Sequence, residues 1–374
     1  MYQIFFIKNR KISNREIADL SPHNALTDPF IKYLLKKSKF NLTITTLFTS
    51  WRSSVMPLKM KLVRKDGKPL GNFGTWIQAF RLHYVPTSIF PALLGSVIAW
   101  AALGKFNLLY FIMVIVGVTV HHIGLNMIDD VFDYLHAVDR SHGEEKNPYT
   151  GGSGVLTGGL LSAEYVLAAA IVCYLIGIAI AICLTVLVGW PVLIFAAIGV
   201  FSSVFYTMPP IRYGYRGFGE LSLLINFGPV ICLGAFYVQT QTIAWEPFVI
   251  SLVPGFLMWS MIVINEIPDY DEDREAGKLN LVARLGKRQG VILYVAGLVC
   301  AYATVFLSAS FGVATFGVLL ALVTLPVAYD SFRILNKNYM DKMKMAPANL
   351  ATIKVHALTL SCLIVGYLAT GVLS

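Results

Sequence analysis

Two acidic stretches in this 374-residue chain carry side chains whose types and spacing could do chemistry. The first, NMIDDVFDY, runs from Asn126 to Tyr134 and closes a long apolar run; the second, NEIPDYDEDREAGK, runs from Asn265 to Lys278. Asn126, Asp130 and Asp133 stand at i, i+4 and i+7, and Asn265, Asp269 and Asp273 at i, i+4 and i+8. Each set predicts an amide and two carboxylates along one helix face. Carboxylates so crowded repel one another and lose solvation, and cations relieve both costs. Hard oxygen ligands select Mg²⁺, which takes one or two carboxylates and fills its octahedron with water and substrate phosphate. Two such rows facing each other would hold Mg²⁺ ions around a diphosphate, with Asp130 and Asp269 as the central catalytic pair.

A diphosphate also needs positive partners. KNPYTGGSGVLTGG, Lys146 to Gly159, offers Lys146 and glycines that let backbone N–H groups approach phosphate oxygens; it reads equally as a flexible connection. Arg81, Arg274 and Lys278 flank the same region, either as diphosphate contacts or as ordinary charges beside a membrane. In FYTMPPIRYGYRGFGEL, Phe205 to Leu221, the Tyr206 ring is placed to stabilise a cation through its face. Tyr213 and Tyr215 fit an interfacial aromatic belt. His121 and His122, one turn before the first motif, fit polar lining or helix packing better than metal ligation.

The elements that must position these residues are helices in lipid. The chain is 56% hydrophobic and 14% charged, with mean hydropathy +0.66, where a soluble domain has roughly 25% charged residues. Nine apolar runs approach the ~20 residues a spanning helix needs: about 84–104, 107–126, 163–189, 191–208, 219–240, 247–266, 290–309, 311–329 and 352–373. None alternates with period 2, so the expected fold is an all-α integral membrane protein, nine transmembrane helices around a central cavity. The connections after the second, fourth, sixth and eighth runs carry fourteen Lys and Arg residues, the others only Lys105. That asymmetry puts the N-terminus and both acidic motifs on the cytoplasmic side, in a cell membrane facing cytoplasm.

The net charge of +9 does not indicate nucleic acid, because 15 of the 30 Lys and Arg residues precede residue 82, as for a basic segment beside an anionic leaflet. Residues 1–75 read as a polar, basic N-terminal extension, cytoplasmic or preceding a true start at Met56 or Met60; 76–374 form the helical domain. The apolar stretch in MYQIFFIKNRK is shorter than the roughly 7–15 residues of a secretory signal. The five cysteines are scattered singly, giving neither a disulfide framework nor a zinc site, and no obligate protein partner is indicated.

These motifs resemble the UbiA superfamily of intramembrane prenyltransferases, whose members have nine transmembrane helices and two Asp-rich motifs that bind Mg²⁺ and a prenyl diphosphate. The first motif departs from the family's N-x-x-x-D-x-x-x-D pattern: its last aspartate falls one residue early, at Asp133, with Tyr134 in the usual place. Asp129, Asp133 and Asp139 are therefore all candidates to complete it. WIQAFRLHYVPTSIFPALLGS, FGPVICLGAFYVQT and DREAGKLNLVARLGKRQG are similar to the menaquinone branch, over roughly residues 76–374. The resemblance implies transfer of a polyprenyl group from an allylic diphosphate to an aromatic acceptor, 1,4-dihydroxy-2-naphthoate, with membrane lipid around the helices. Competing readings are another acceptor (a quinone precursor, a haem or chlorophyll intermediate, a glycerol-phosphate lipid), a transporter or cation channel, or a soluble-type prenyl synthase, since DDVFD also reads as D-D-x-x-D.

Overall fold

Hydrocarbon offers backbone N–H and C=O groups no water, so a spanning chain must satisfy them within itself, and the apolar runs fold as helices. The protein is seen as a computed structural model that describes residues 73–136, 138, 147 and 149–373. These belong to one compact unit, Leu58–Ser374. A second unit, Met1–Pro57, and nearly all of the expected 1–75 extension lie outside the described residues.

The helices are α1 (Phe73–Phe80), α2 (Pro86–Leu103), α3 (Leu108–Leu135), α4 (Ala163–Val188) and α5 (Pro191–Thr207). Then α6 (Gly219–Ile225) runs through one π turn, Asn226–Val230, into α7 (Ile231–Thr240). They are followed by α8 (Trp245–Glu266), the short α9 (Tyr270–Glu275) and α10 (Leu281–Leu285), and α11 (Lys287–Ser310). A 3-10 segment, Phe316–Thr324, leads into α12 (Leu325–Asn338), and α13 (Ala346–Leu373) ends the chain.

Nine spans were expected; eight helical stretches among the described residues are long and apolar enough to cross a membrane. The exception is α5, whose 17 residues reach only about 25 Å against the ~30 Å of hydrocarbon. Gly189 and Pro191 delay its start, and Met208 turns extended at ψ 132° before Pro209, as the residue preceding a proline must. By contrast α3 has 28 residues, about 42 Å, so its last turns, with Asn126 to Asp133, outrun the apolar layer.

The second motif departs from the single helical face its spacing predicts. α8 stops at Glu266, Pro268 breaks the ladder, and Asp269 sits in a turn at ψ 0° before α9 begins. Beyond the break, Asp269 caps α9, and the amide of Asp273 donates to its carbonyl at 2.8 Å, which keeps these two side by side while Asn265 stays on α8.

α8 packs most extensively on α11, α3 on α4, and α2 on α7 and α13. One core joins α2, α7, α8 and α11–α13 through Leu94, Phe236, Ile264, Tyr294 and Leu335; another joins α1, α3 and α4 to the connection at Val155 and Leu161. Lipid gives little hydrophobic drive between helices, so close backbone approach and interhelical hydrogen bonds matter more. A Cβ on Gly366 would lie 2.1 Å from the Gly317 carbonyl oxygen, so only glycine lets α13 cross the 3-10 segment there. The hydroxyl of Tyr294 joins those of Ser331 and Thr352 at 2.7 and 2.9 Å, tying α11, α12 and α13. All five cysteines are free.

Candidate active site

The end of α3 delivers the first motif inward. Asp130 and Asp133 are 4% and 7% exposed, whereas Tyr134 is 42% exposed. Both oxygens of Asp130 accept from the Ser153 amide at 3.1 Å, with Arg81 Nη1 3.5 Å away. Asp133 accepts from the Tyr215 hydroxyl at 2.6 Å and from Lys278 Nζ at 2.9 Å. Asp133 and not Tyr134 therefore faces the cluster, and Asp129 lies beside it with one buried oxygen that finds no donor among the described residues. Asp139 lies outside the described residues. Asn126 donates to the Phe80 carbonyl at 3.0 Å and so fastens α1 to α3.

The second motif meets the first across the glycine-rich connection. The Gly151 amide donates to Asp269 Oδ2 at 3.1 Å, two residues from the Ser153 amide that serves Asp130. Two residues reach at most about 7 Å, so the two carboxylates are no more than about 13 Å apart. Gly151 has φ +74°, a conformation only glycine takes cheaply, and Arg81 Nη2 holds its carbonyl at 3.0 Å. Arg81 itself sits at φ +50°, strain of the kind found at functional sites. Asp273 accepts from Asn280 Nδ2 at 2.6 Å, and Asn265 accepts from Asn349 Nδ2 at 2.9 Å.

Five aspartates, Asp129, Asp130, Asp133, Asp269 and Asp273, thus gather around two cations, Arg81 and Lys278. Burial pushes the Asp273 carboxyl up to about 7, with Asp269 and Asp133 adding to the shift and Lys278 opposing it. Burial disfavours the Lys278 ammonium, but Asp133, Asp273 and Asp129 hold it well above the usual lysine range. Burial, then Asp133, raises the Tyr215 hydroxyl, which keeps it a hydrogen-bond donor.

An apolar cavity of about 340 Å³ opens between α3, α4, α5 and α6–α7. His121, His122, Tyr206 and Tyr213 line it. Tyr206 is buried, edge-on to Tyr213 at 5.6 Å and clamped against Gly214 and Gly219. Gly214, on which it packs, is followed by Tyr215, the donor to Asp133, so one short segment touches both the cavity wall and the acids.

The structure therefore brings together Asp130, Asp133, Asp269, Asp273, Arg81, Lys278 and Tyr206. Arg274 it turns away: exposed, it donates to its i−4 neighbour Tyr270 at 2.5 Å and stacks over that ring. Lys146 lies outside the described residues. Tyr215, placed in an interfacial belt by sequence, is instead 5% exposed and bound to Asp133. Sequence reasoning missed Ser153, Asn280 and Asn349, whose partners lie between 7 and 84 positions away. Among the described residues no three His, Cys, Asp or Glu side chains stand close enough to share one ion, because the carboxylates are spread onto N–H, hydroxyl and cationic partners.

A profile of the UbiA prenyltransferase family matches residues 88–353. The 2-carboxy-1,4-naphthoquinone phytyltransferase of Synechocystis sp. is 23% identical over 292 residues, covering 78% of this chain and 92% of its own. The 1,4-dihydroxy-2-naphthoate octaprenyltransferase of Escherichia coli is 27% identical over 232 residues, 60% of this chain and 74% of its own. A UbiA homolog from Archaeoglobus fulgidus, seen bound to GPP and Mg²⁺, shares the fold with a TM-score of 0.52 at 17% identity, over 79% of this chain and 99% of that one. Acid clusters in transporters sit near the bilayer midplane, whereas this one sits at helix ends. With the family profile spanning most of its length and both acidic motifs meeting at one glycine-rich connection, the chain belongs to the UbiA prenyltransferase family and is an integral membrane prenyltransferase.

Proposed function

We propose that the protein transfers a polyprenyl group from an allylic prenyl diphosphate to 1,4-dihydroxy-2-naphthoate, with Mg²⁺, at the cytoplasmic side of the cell membrane. The observation that carries this is the bridging of Asp130 and Asp269 by one glycine-rich connection, in a fold that also holds an apolar cavity lined by Tyr206. The acceptor follows the naphthoate relatives, and the orientation follows the Lys and Arg bias of the loops.

The residues fit Mg²⁺ by their chemistry. The donors are hard oxygens, five carboxylates exceed two cations, and Asp129 leaves a buried oxygen without a partner. Asp130, Asp269 and Asp273, with Asp133 or Asp129 completing the first motif, would hold the metal, with Asn126 and Asn265 beside them. When bound, Mg²⁺ supplies Lewis-acid stabilisation of the leaving diphosphate. Arg81 and Lys278 bind the remaining diphosphate oxygens and cancel charge that develops as the allylic C–O bond breaks. Tyr206 presents an aromatic wall to the carbocation, and the apolar cavity keeps water from quenching it. The ring carbon of the acceptor attacks, and loss of CO₂ or a proton restores aromaticity.

The test is a panel of aromatic acceptors and prenyl diphosphates, with products identified by mass spectrometry. Asp130→Asn and Asp269→Asn are each expected to abolish metal-dependent transfer while the protein stays folded in the membrane. Unchanged turnover in either variant removes these residues from the reaction.

A further inference from the structure

We infer that the polar end of the apolar cavity seats the aromatic acceptor, and that Asn226 Oδ1 receives one of its ring hydroxyls. The inference rests on the prenyl transfer proposed above and concerns where the second substrate binds.

Asn226 opens the π turn that joins α6 to α7, a local departure from helix that recurs at functional sites. Its Nδ2 donates to the Ser222 carbonyl at 2.8 Å and to Ser222 Oγ at 3.1 Å. Those bonds fix the amide's orientation, because a carbonyl partner demands the nitrogen on that side. The other amide atom, Oδ1, is therefore an acceptor; it is buried and has no donor among the described residues. Buried acceptors are usually paired, so Oδ1 is an atom of this wall suited to receive a hydroxyl. Asn226 lines the cavity beside Ser222, Tyr213, Tyr206 and His122. Tyr213 and Ser222 already share a hydrogen bond at 2.9 Å, and His122 Nδ1 is paired with Ser88 Oγ at 2.9 Å.

An isoprenoid chain carries no hydrogen-bond donor, so it would leave Oδ1 unfilled. A phenol or naphthol has an apolar ring for the cavity and a hydroxyl for Oδ1. The cavity's 340 Å³ or so falls among the roughly 300–1,000 Å³ of small-molecule sites. The edge of Phe227 against His122, centroids 5.2 Å apart, adds an aromatic wall. A ring seated there meets Tyr206, which packs on Gly214 beside Tyr215, the donor to Asp133, and so lies toward the acid-bearing side.

The test uses the full chain in nanodiscs with Mg²⁺, a prenyl diphosphate and 1,4-dihydroxy-2-naphthoate. Asn226→Leu is expected to raise the acceptor KM about tenfold or more while leaving the prenyl diphosphate KM within about twofold. The two monohydroxy-2-naphthoates, used as competitors, should then divide: the one keeping the hydroxyl that Asn226 receives weakens about tenfold in the variant, and the other inhibits both proteins alike. An unchanged acceptor KM overturns the inference, and so does a parallel rise in the prenyl diphosphate KM, which would put the tail in this cavity. Should Asn226→Leu fail to insert, Asn226→Gln keeps the amide but displaces its oxygen, and the same two KM values decide. Wild-type protein that binds prenyl diphosphate yet prenylates no hydroxylated aromatic defeats the proposed reaction itself, a result distinct from either outcome with the variants.

Discussion

Lys278 is the cation that ties the end of α3 to the segment after α9, and replacing it with Met gives a measurable account of that role. Its Nζ lies 2.9 Å from Asp133 Oδ2, with side-chain exposures of 15% and 10%. At that separation and an effective dielectric near 20, the gross attraction is about 6 kcal/mol. Desolvation of both charges cancels part of it, and removing one member of a buried pair costs about 3–5 kcal/mol. Lys278→Met is therefore expected to destabilise the metal-free protein by about 3–5 kcal/mol. Denaturant unfolding in detergent with EDTA measures this, for the wild type, Lys278→Met, Asp133→Asn and the double variant. Because the Asp133→Asn change also removes the orphaned charge, the double variant should be more stable than Lys278→Met alone, with a coupling of about 2–3 kcal/mol. Added Mg²⁺ should recover part of the single variant's loss. Additive effects, with coupling under about 0.5 kcal/mol, would refute the claim that Lys278 neutralises Asp133.

Other outcomes follow from the same geometry. Tyr215→Phe deletes the 2.6 Å bond to Asp133 and should cost about 1.5–3 kcal/mol in the same unfolding assay, but little in an Asp133→Asn background. Asp273 has its folded-state carboxyl raised to about 7, so the folded protein holds a proton that the unfolded chain has released, and metal-free stability should fall as pH rises from about 4 to 7. The same proton competes with Mg²⁺, so calorimetry should show affinity rising with pH up to about 7 and levelling above it; a flat profile would remove Asp273 from the metal set. Gly366→Val places a Cβ 2.1 Å from the Gly317 carbonyl and should cost about 1–3 kcal/mol or more, read as loss of folded protein in detergent, with no selective change in substrate KM.

Helix positions were legible because lipid leaves the backbone only one solution over an apolar run of the right length. The short α5 departs from that rule through Gly189, Pro191 and Pro209, all visible as breakers, whose combined effect on length is set by the fold. Sequence left Asp129, Asp133 and Asp139 open; in the unbroken α3, i+7 returns to within about 20° of Asn126 and i+8, Tyr134, lies about 80° away, a limit the second motif escapes because α8 ends before Asp269. Arg274 had a helical i−4 neighbour in Tyr270 that competes for it. Partners such as Ser153 for Asp130 and Asn349 for Asn265 had no local signature, because tertiary packing alone pairs them. Asn226 carried a faint one, an amide inside an apolar run, where polar groups are costly and tend to be functional.

The glycine-rich connection explains how acids of two distant motifs can stand together at all. Five carboxyl groups around two cations crowd acidic oxygens that repel one another as they ionise, and would drive α3 and the α8–α9 turn apart. The amides of Gly151 and Ser153 donate to one carboxylate of each motif, and hydrogen bonds to a charged group contribute about 1.5–3 kcal/mol each. Arg81 clasps the same connection by its Gly151 carbonyl, and Asn147 anchors it to Asn349 on α13 at 3.1 Å. Asn349 in turn holds Asn265 of the second motif. The connection is thus a neutral brace between like charges, built from backbone dipoles rather than from further cations. A brace of fixed positive charge would cancel the field on which divalent ions depend; amide dipoles restrain the carboxylates yet leave their net charge intact.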